Sequence, residues 1–221
     1  IGRFLGIPEN RVDVVPLAVR PHFRVLNDAE KVKAVLEKYG LRRPFFISVS
    51  TLEPRKNLLR LLRAFEKLRQ SDKNTLLVLV GKPGGAENEL EQFIQERNLR
   101  DQVKIAGYVP DDDLVCLYNA AMAYVTVSLY EGFGLPALEA MACGLTGLVS
   151  SRSSLPEVTG NTALLVDPEN TDAIAEGLLR LSQDGDYRSG LSRAAHARSN
   201  HFSIEKTAGA MMEIFKNEAE G

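Results

Sequence analysis

Two short clusters in this sequence combine charge with glycine or proline in a way that suits phosphate chemistry. The first is Ser128-Leu129-Tyr130-Glu131-Gly132-Phe133-Gly134-Leu135-Pro136. It reads as a loop that leaves a strand and opens a helix. Gly132 and Gly134 lack Cβ and let backbone come close to a ligand. Pro136 falls in the first helical turn, where a missing N–H costs nothing. The free amides of that turn, with the helix dipole, form an anion site. Two carboxylates, Glu131 and Glu139, flank it. An ionised carboxylate only accepts hydrogen bonds, so sugar hydroxyls are its natural partners beside a phosphate. The second cluster is Glu53-Pro54-Arg55-Lys56-Asn57, again between a strand and a helix. Arg55 and Lys56 are placed to neutralise phosphate oxygens from the opposite side. With the helix N-terminus they would stabilise a departing diphosphate.

Plainer readings compete with these. On its own, Glu139 is a solvated position on an amphipathic helix, and Glu131 is an acid favoured by a helix N-terminus. Arg55 and Lys56 could be ordinary surface cations, and so could Lys82. Paired carboxylates also suggest a glycoside hydrolase, but the phosphate-friendly loop between them argues against one. Gly81-Lys82-Pro83-Gly84-Gly85 lacks the GK[ST] of a P-loop and the GxGxxG of a dinucleotide site. Asp111-Asp112-Asp113 contains a literal Asp-x-Asp, yet it follows Pro110 at a helix start, where acids complement the dipole. His22, His196 and His201 share no metal-ligand spacing.

The elements that must hold these clusters alternate. Residues 44–50 and 75–80 are continuous apolar runs of strand length, and residues 58–70 carry an apolar stripe at helical spacing with Asn57 placed as its cap. Further strands are expected near 103–106, 124–128, 146–150 and 163–166. Helices are expected near 86–97, 111–121, 135–143, 171–182, 187–199 and 204–218. Ser154-Leu155-Pro156-Glu157 matches a capping box at the start of one more short helix. The pattern predicts an α/β fold, a Rossmann-like doubly wound parallel sheet covered on both faces. Such sheets bind ligands beyond the carboxyl ends of their strands, where both clusters fall. Residues 12–17 read as a strand and turn without an obvious partner.

Composition sets limits. The 221 residues are 44% apolar and 25% charged, with a formal net charge of −2. That balance gives no electrostatic footprint for nucleic acid or an anionic membrane. No apolar run nears the roughly 20 residues of a membrane helix, and residues 1–6 do not resemble a secretory signal. Cys116 and Cys143 sit in apolar helical patterns and read as buried thiols, which suits a reducing cytoplasm.

Glu131-Gly-Phe-Gly-Leu-Pro-Ala-Leu-Glu139 is a Glu-x7-Glu motif, and Thr51-Leu52-Glu53-Pro54-Arg55-Lys56-Asn57 looks like its companion. In this order the two resemble family 4 of the retaining glycosyltransferases, whose GT-B fold faces two Rossmann-like domains across a cleft. The resemblance runs from about Val12 to the C-terminus and identifies the C-terminal, donor-binding domain. It implies residues 1–20 as an interdomain linker, 21–202 as the nucleotide-sugar domain and 203–221 as a C-terminal helix. It implies that Arg55, Lys56 and the backbone at Gly132, Phe133, Gly134 and Leu135 bind the diphosphate. Glu131 would face the donor sugar and the reaction centre, and Glu139 would bind the ribose. Tyr108 and Val109 would present backbone to the base, Leu114 would pack on it, and Gly81 and Lys82 would line the same cleft. Two positions depart from the usual pattern: Ser50 replaces Gly, and Thr51 stands where many members have Arg. Gly147 also weakens an expected strand.

The expected function is hexosyl transfer, independent of metal and cofactor, from a UDP-sugar, UDP-glucose first, in polysaccharide synthesis. Alternatives are a GDP-mannose-dependent mannosyltransferase or a nucleotide-sugar epimerase of the same fold. The acceptor site belongs to an N-terminal domain in this family, through which alone a membrane contact is expected. The chain by itself is expected to bind the donor and transfer poorly.

Overall fold

The computed structural model describes residues 5–220. The leader reading of residues 1–6 falls mostly outside them. Six strands form one sheet: β1 Phe45–Val49, β2 Leu76–Val80, β3 Val103–Gly107, β4 Ala123–Thr126, β5 Gly147–Ser150 and β6 Leu164–Val166. Their order is β3-β2-β1-β4-β5-β6, and each neighbouring pair is parallel. Nine helices are described: α1 Ala29–Lys38, α2 Leu58–Leu68, α3 Glu87–Glu96, α4 Asp111–Ala120, α5 Leu135–Ala142, α6 Leu155–Thr159, α7 Thr171–Gln183, α8 Gly185–Ser199 and α9 Ile204–Glu220. Among the described residues no helix is long and apolar enough to cross a membrane.

Alternate strand side chains feed two separate cores, as a period of two requires. Phe45, Ile47, Val78, Val80 and Tyr124 face one side, with residues of α1, α4 and α5. Phe46, Leu77, Leu79, Val125 and Leu148 face the other, with residues of α2, α3 and α7. Burial on both faces explains why the strands read as unbroken apolar runs. Cys116 and Cys143 are both buried, and burial pushes the Cys143 thiol up to about 12.

The strand order reverses between β1 and β4, where Phe46 pairs with Ala123 and Ile47 with Tyr124. The crevice that such a reversal leaves lies at the carboxyl edge of the sheet, and the loops leaving these two strands border it together. One loop carries Arg55 and Lys56 in a single 3-10 turn, Pro54–Lys56, and the other carries Glu131 to Gly134.

Three local expectations are corrected. Residues 12–17 form no strand; the segment runs along the C-terminal part of the chain, where the Val19 amide donates to Phe202 O and Thr207 Oγ1 to Pro16 O. Asn57 precedes α2, but its side chain caps nothing. Its backbone is left-handed (φ 57°), and Nδ2 donates to Val127 O at 3.0 Å and Pro168 O at 2.7 Å, tying the two loops together. Ser154 precedes α6 without a side-chain cap, and its hydroxyl donates to Glu131 O instead. Gly147 acquires a reason: a Cβ there would stand 2.5 Å from Tyr124 O on the neighbouring strand.

Candidate functional site

The crevice has a cationic end built by the loops after β1 and β4. Lys56 is buried, and its Nζ donates to Glu131 Oε1 at 2.6 Å. Arg55 Nη1 reaches Glu131 Oε2 at 3.4 Å and Tyr130 O at 3.1 Å, while its Nε pairs with Glu53 at 2.7 Å. The Ser128 hydroxyl also donates to Glu131 Oε1, at 2.7 Å. The two loops are locked by the Leu129 amide donating to Arg55 O at 2.9 Å. Both cations therefore meet at Glu131, the residue that precedes the turn.

That turn is held from the far side. The Glu131 amide donates to Ser153 Oγ at 3.0 Å, and Gly134 packs against Leu155. Gly134 has φ +96°, and a Cβ on it would lie 2.7 Å from Leu155 Cδ2, so only glycine fits. Gly132 differs: a Cβ there would meet open space. Among the described residues, nothing accepts a hydrogen bond from the amides of Gly132, Phe133, Gly134 or Leu135. Four unpartnered amides, a helix N-terminus and two cations make a ready cradle for a dianion.

The other end is shaped differently. Gly81, Lys82, Tyr108, Val109 and Leu114 line a pocket of about 240 Å³ together with Ser50, Thr51 and Asp111. Val109 and Leu114 are buried, whereas Tyr108 is exposed with Lys82 Nζ 4.9 Å from its ring centre. Gly81 is fixed by contact, since a Cβ would fall 1.7 Å from Ser50 O. Ser50, where the resemblance leads one to expect glycine, is half-buried.

Glu139 projects from α5 and is nearly buried. Burial raises its carboxyl above the usual range, and a hydrogen bond from Arg20 pulls it back. Arg20 Nη2 donates to Glu139 Oε1 at 3.0 Å, and Arg20 Nη1 pairs with Asp111. Asp111 thus belongs to both the pocket and this cluster. Asp113, by contrast, pairs with Lys38 and Tyr39. The Asp-x-Asp segment opens α4 with its outer acids in separate ion pairs.

The structure brings the residues picked from the sequence into three groups: Arg55, Lys56 and Glu131 in one hydrogen-bonded cluster before the amide turn, the pocket residues Gly81, Lys82, Tyr108, Val109 and Leu114, and Glu139 near Asp111. Sequence reasoning missed Arg20, Asp111, Ser128 and Ser153. Nothing local marks Arg20, because its partners lie 91 and 119 residues away. Asp111 had a sufficient explanation as a helix-opening acid. Ser153 gives one sign of special geometry only in three dimensions, a left-handed backbone (φ 55°).

Residues 30–198 match the family described as Glycosyl transferases group 1. O-antigen chain mannosyltransferase B of Escherichia coli is 35% identical over 216 residues, which is 97% of this chain and 56% of that protein. Serotype-specific mannosyltransferase WbdA of Escherichia coli is 34% identical over 216 residues, 96% of this chain and 26% of its own length. The chain therefore spans about half or less of these relatives. A glycosyltransferase of Rickettsia africae ESF-5 superposes with a TM-score of 0.88 at 24% identity, covering 96% of this chain and 58% of that one. The sheet order and these superposable halves place the fold as one half of a GT-B glycosyltransferase. With its Glu-x7-Glu loop and companion cations at the switch point, the chain belongs to the group 1 glycosyl transferases, the family 4 enzymes of its motif resemblance.

Proposed function

We propose that this chain is the donor-binding half of a retaining mannosyltransferase that takes mannose from a GDP-sugar and needs no metal. One observation carries the donor reading: Arg55 and Lys56 converge on the loop whose amides, from Gly132 to Leu135, have no acceptor among the described residues. A diphosphate is the ligand that such an arrangement neutralises. Mannose is favoured over glucose by the two mannosyltransferases reported above. The same relatives are transferases, which favours transfer over epimerisation. Assembly of a mannose-containing polysaccharide is the pathway consistent with them.

In the proposed reaction the bond between the anomeric carbon and the phosphate oxygen breaks toward an oxocarbenium-like state. The bond electrons leave with the diphosphate, where Arg55, Lys56 and the amide turn stabilise the added charge. The acceptor hydroxyl attacks the anomeric carbon from the same face and gives its proton to a phosphate oxygen. Glu131 holds the two cations in place and faces the sugar. Gly81, Lys82, Tyr108, Val109 and Leu114 receive the base, and Glu139 receives the ribose hydroxyls.

Calorimetric titration of the chain with GDP-mannose and UDP-glucose tests the donor. Tighter binding of GDP-mannose is expected, and tighter binding of UDP-glucose would overturn the mannose reading. The acceptor half of the cleft is proposed to come from sequence outside this chain, so mannosyl transfer by these 221 residues alone is expected to be slow.

A further inference from the structure

We propose that Arg20 is a positioning residue for ribose recognition: it holds Glu139 by one carboxylate oxygen so that the other is presented to the ribose hydroxyls. The inference rests on the proposed role of Glu139 as the ribose acceptor.

Arg20 lies on the extended segment that leads into α1, distant in sequence from every other crevice residue. Three groups fix its guanidinium. Nη2 meets Glu139 Oε1 at 3.0 Å, Nη1 meets Asp111 Oδ2, and the Phe23 ring lies beneath with its centre 5.0 Å from the guanidinium carbon. Phe23 is itself buried and packs edge-on to Tyr118. His22 Nε2 completes the surroundings, 3.5 Å from Asp111 Oδ2. This is a built arrangement, because a planar fork with one nitrogen for each of two carboxylates is what guanidinium geometry supplies.

The arrangement has a direct consequence for Glu139. Among the described residues, only Arg20 donates to its carboxylate, and it uses Oε1. Oε2 keeps its lone pairs for a ligand. Without Arg20, the buried carboxylate would face Asp111 with no cation between them, and both burial and that neighbour work against its ionised form. A protonated carboxyl accepts ribose hydroxyls poorly. Arg20 therefore keeps the acceptor charged and aimed, and through Asp111 it joins the ribose carboxylate to the rim of the base pocket. Recognition of the ribose then depends on where the segment carrying Arg20 lies.

The test compares GDP, its 2′,3′-dideoxy counterpart and pyrophosphate by calorimetry on wild type, Arg20→Met, Arg20→Lys and Glu139→Gln. The wild type should prefer GDP over the dideoxy form by roughly tenfold, the effect of hydrogen bonds to a charged group. Arg20→Met should reduce that ratio to roughly twofold or less while leaving dideoxy-GDP and pyrophosphate binding unchanged. Arg20→Lys, which keeps one charge but not the fork, should restore part of the ratio. A merely structural role would weaken all three ligands together, and that outcome would overturn the proposal. So would a full ratio in Arg20→Met beside a lost ratio in Glu139→Gln, which leaves the ribose role of Glu139 standing. A full ratio in Glu139→Gln removes the ribose reading itself, and the proposal with it.

Discussion

At the loops after β1 and β4, two cations, Arg55 and Lys56, share the carboxylate of Glu131, and Arg55 also pairs with Glu53. At the α4 and α5 end, one cation, Arg20, serves two carboxylates, Asp111 and Glu139. The first end adds unpartnered backbone amides, and the second adds a lined pocket. Free backbone donors beside two cations suit an anion. Spare carboxylate oxygens suit hydroxyls and N–H groups. In the proposed binding mode the difference divides one extended ligand between them, phosphates at one end and nucleoside at the other. It also shows why the two acids of the Glu-x7-Glu motif do unlike work. Glu131 sits among cations and organises them, while Glu139 is buried with half its carboxylate unspoken for.

The strongest way to break this division is at Lys56. Lys56→Ala should weaken GDP binding by about 1.5–3 kcal/mol, the scale of a hydrogen bond to a charged group, and should weaken pyrophosphate equally. Titration calorimetry reads both, and an unchanged pyrophosphate affinity would take Lys56 out of the phosphate end. The two glycines of the turn sharpen the contrast between fold and ligand. Gly134→Ala forces a side chain into a left-handed backbone against Leu155 and should lower unfolding stability by about 1–3 kcal/mol in denaturant titration. Gly132→Ala should leave the unfolding midpoint unchanged, because its Cβ meets nothing, and should weaken diphosphate binding only.

The smallest effect tests the nucleoside end without ligand. Glu139 has its carboxyl raised by burial, so its ionisation in the folded state works against stability. The sign follows: its stabilising contribution is complete below the unfolded-state pKa and is lost as pH rises through the higher folded value. Glu139→Gln should therefore melt slightly higher than wild type at neutral pH, and the gain should vanish in acid. A variant that melts lower at neutral pH would show that the pair with Arg20 outweighs the burial.

Much of the fold was legible because its signals are local. Residues 45–49 and 76–80 are apolar at every position but Ser48 and lie in the sheet interior, and α2 shows its stripe of Leu58, Leu61, Leu62, Phe65 and Leu68. The cluster of the proposed phosphate end was legible for the same reason, since Arg55, Lys56 and the 131–135 turn each lie on a loop that leaves a strand. What escaped depends on long-range partners. Asn57 looked like a cap because Asn favours that position, but tertiary acceptors at Val127 and Pro168 claimed its side chain. Ser154 was taken from its capping box by Glu131 O in the same manner. Residues 12–17 alternate like a strand yet find no sheet edge, and they bond to the C-terminal region instead. Arg20 was invisible because a single cation in an extended segment carries no spacing to read.

A crystal structure of the chain with GDP-mannose tests the central claim most directly. The account predicts phosphate oxygens within hydrogen-bonding distance of the Gly134 and Leu135 amides and of Lys56 Nζ, with ribose hydroxyls on Glu139. A diphosphate lying elsewhere, with Lys56 still held by Glu131 alone, would contradict it.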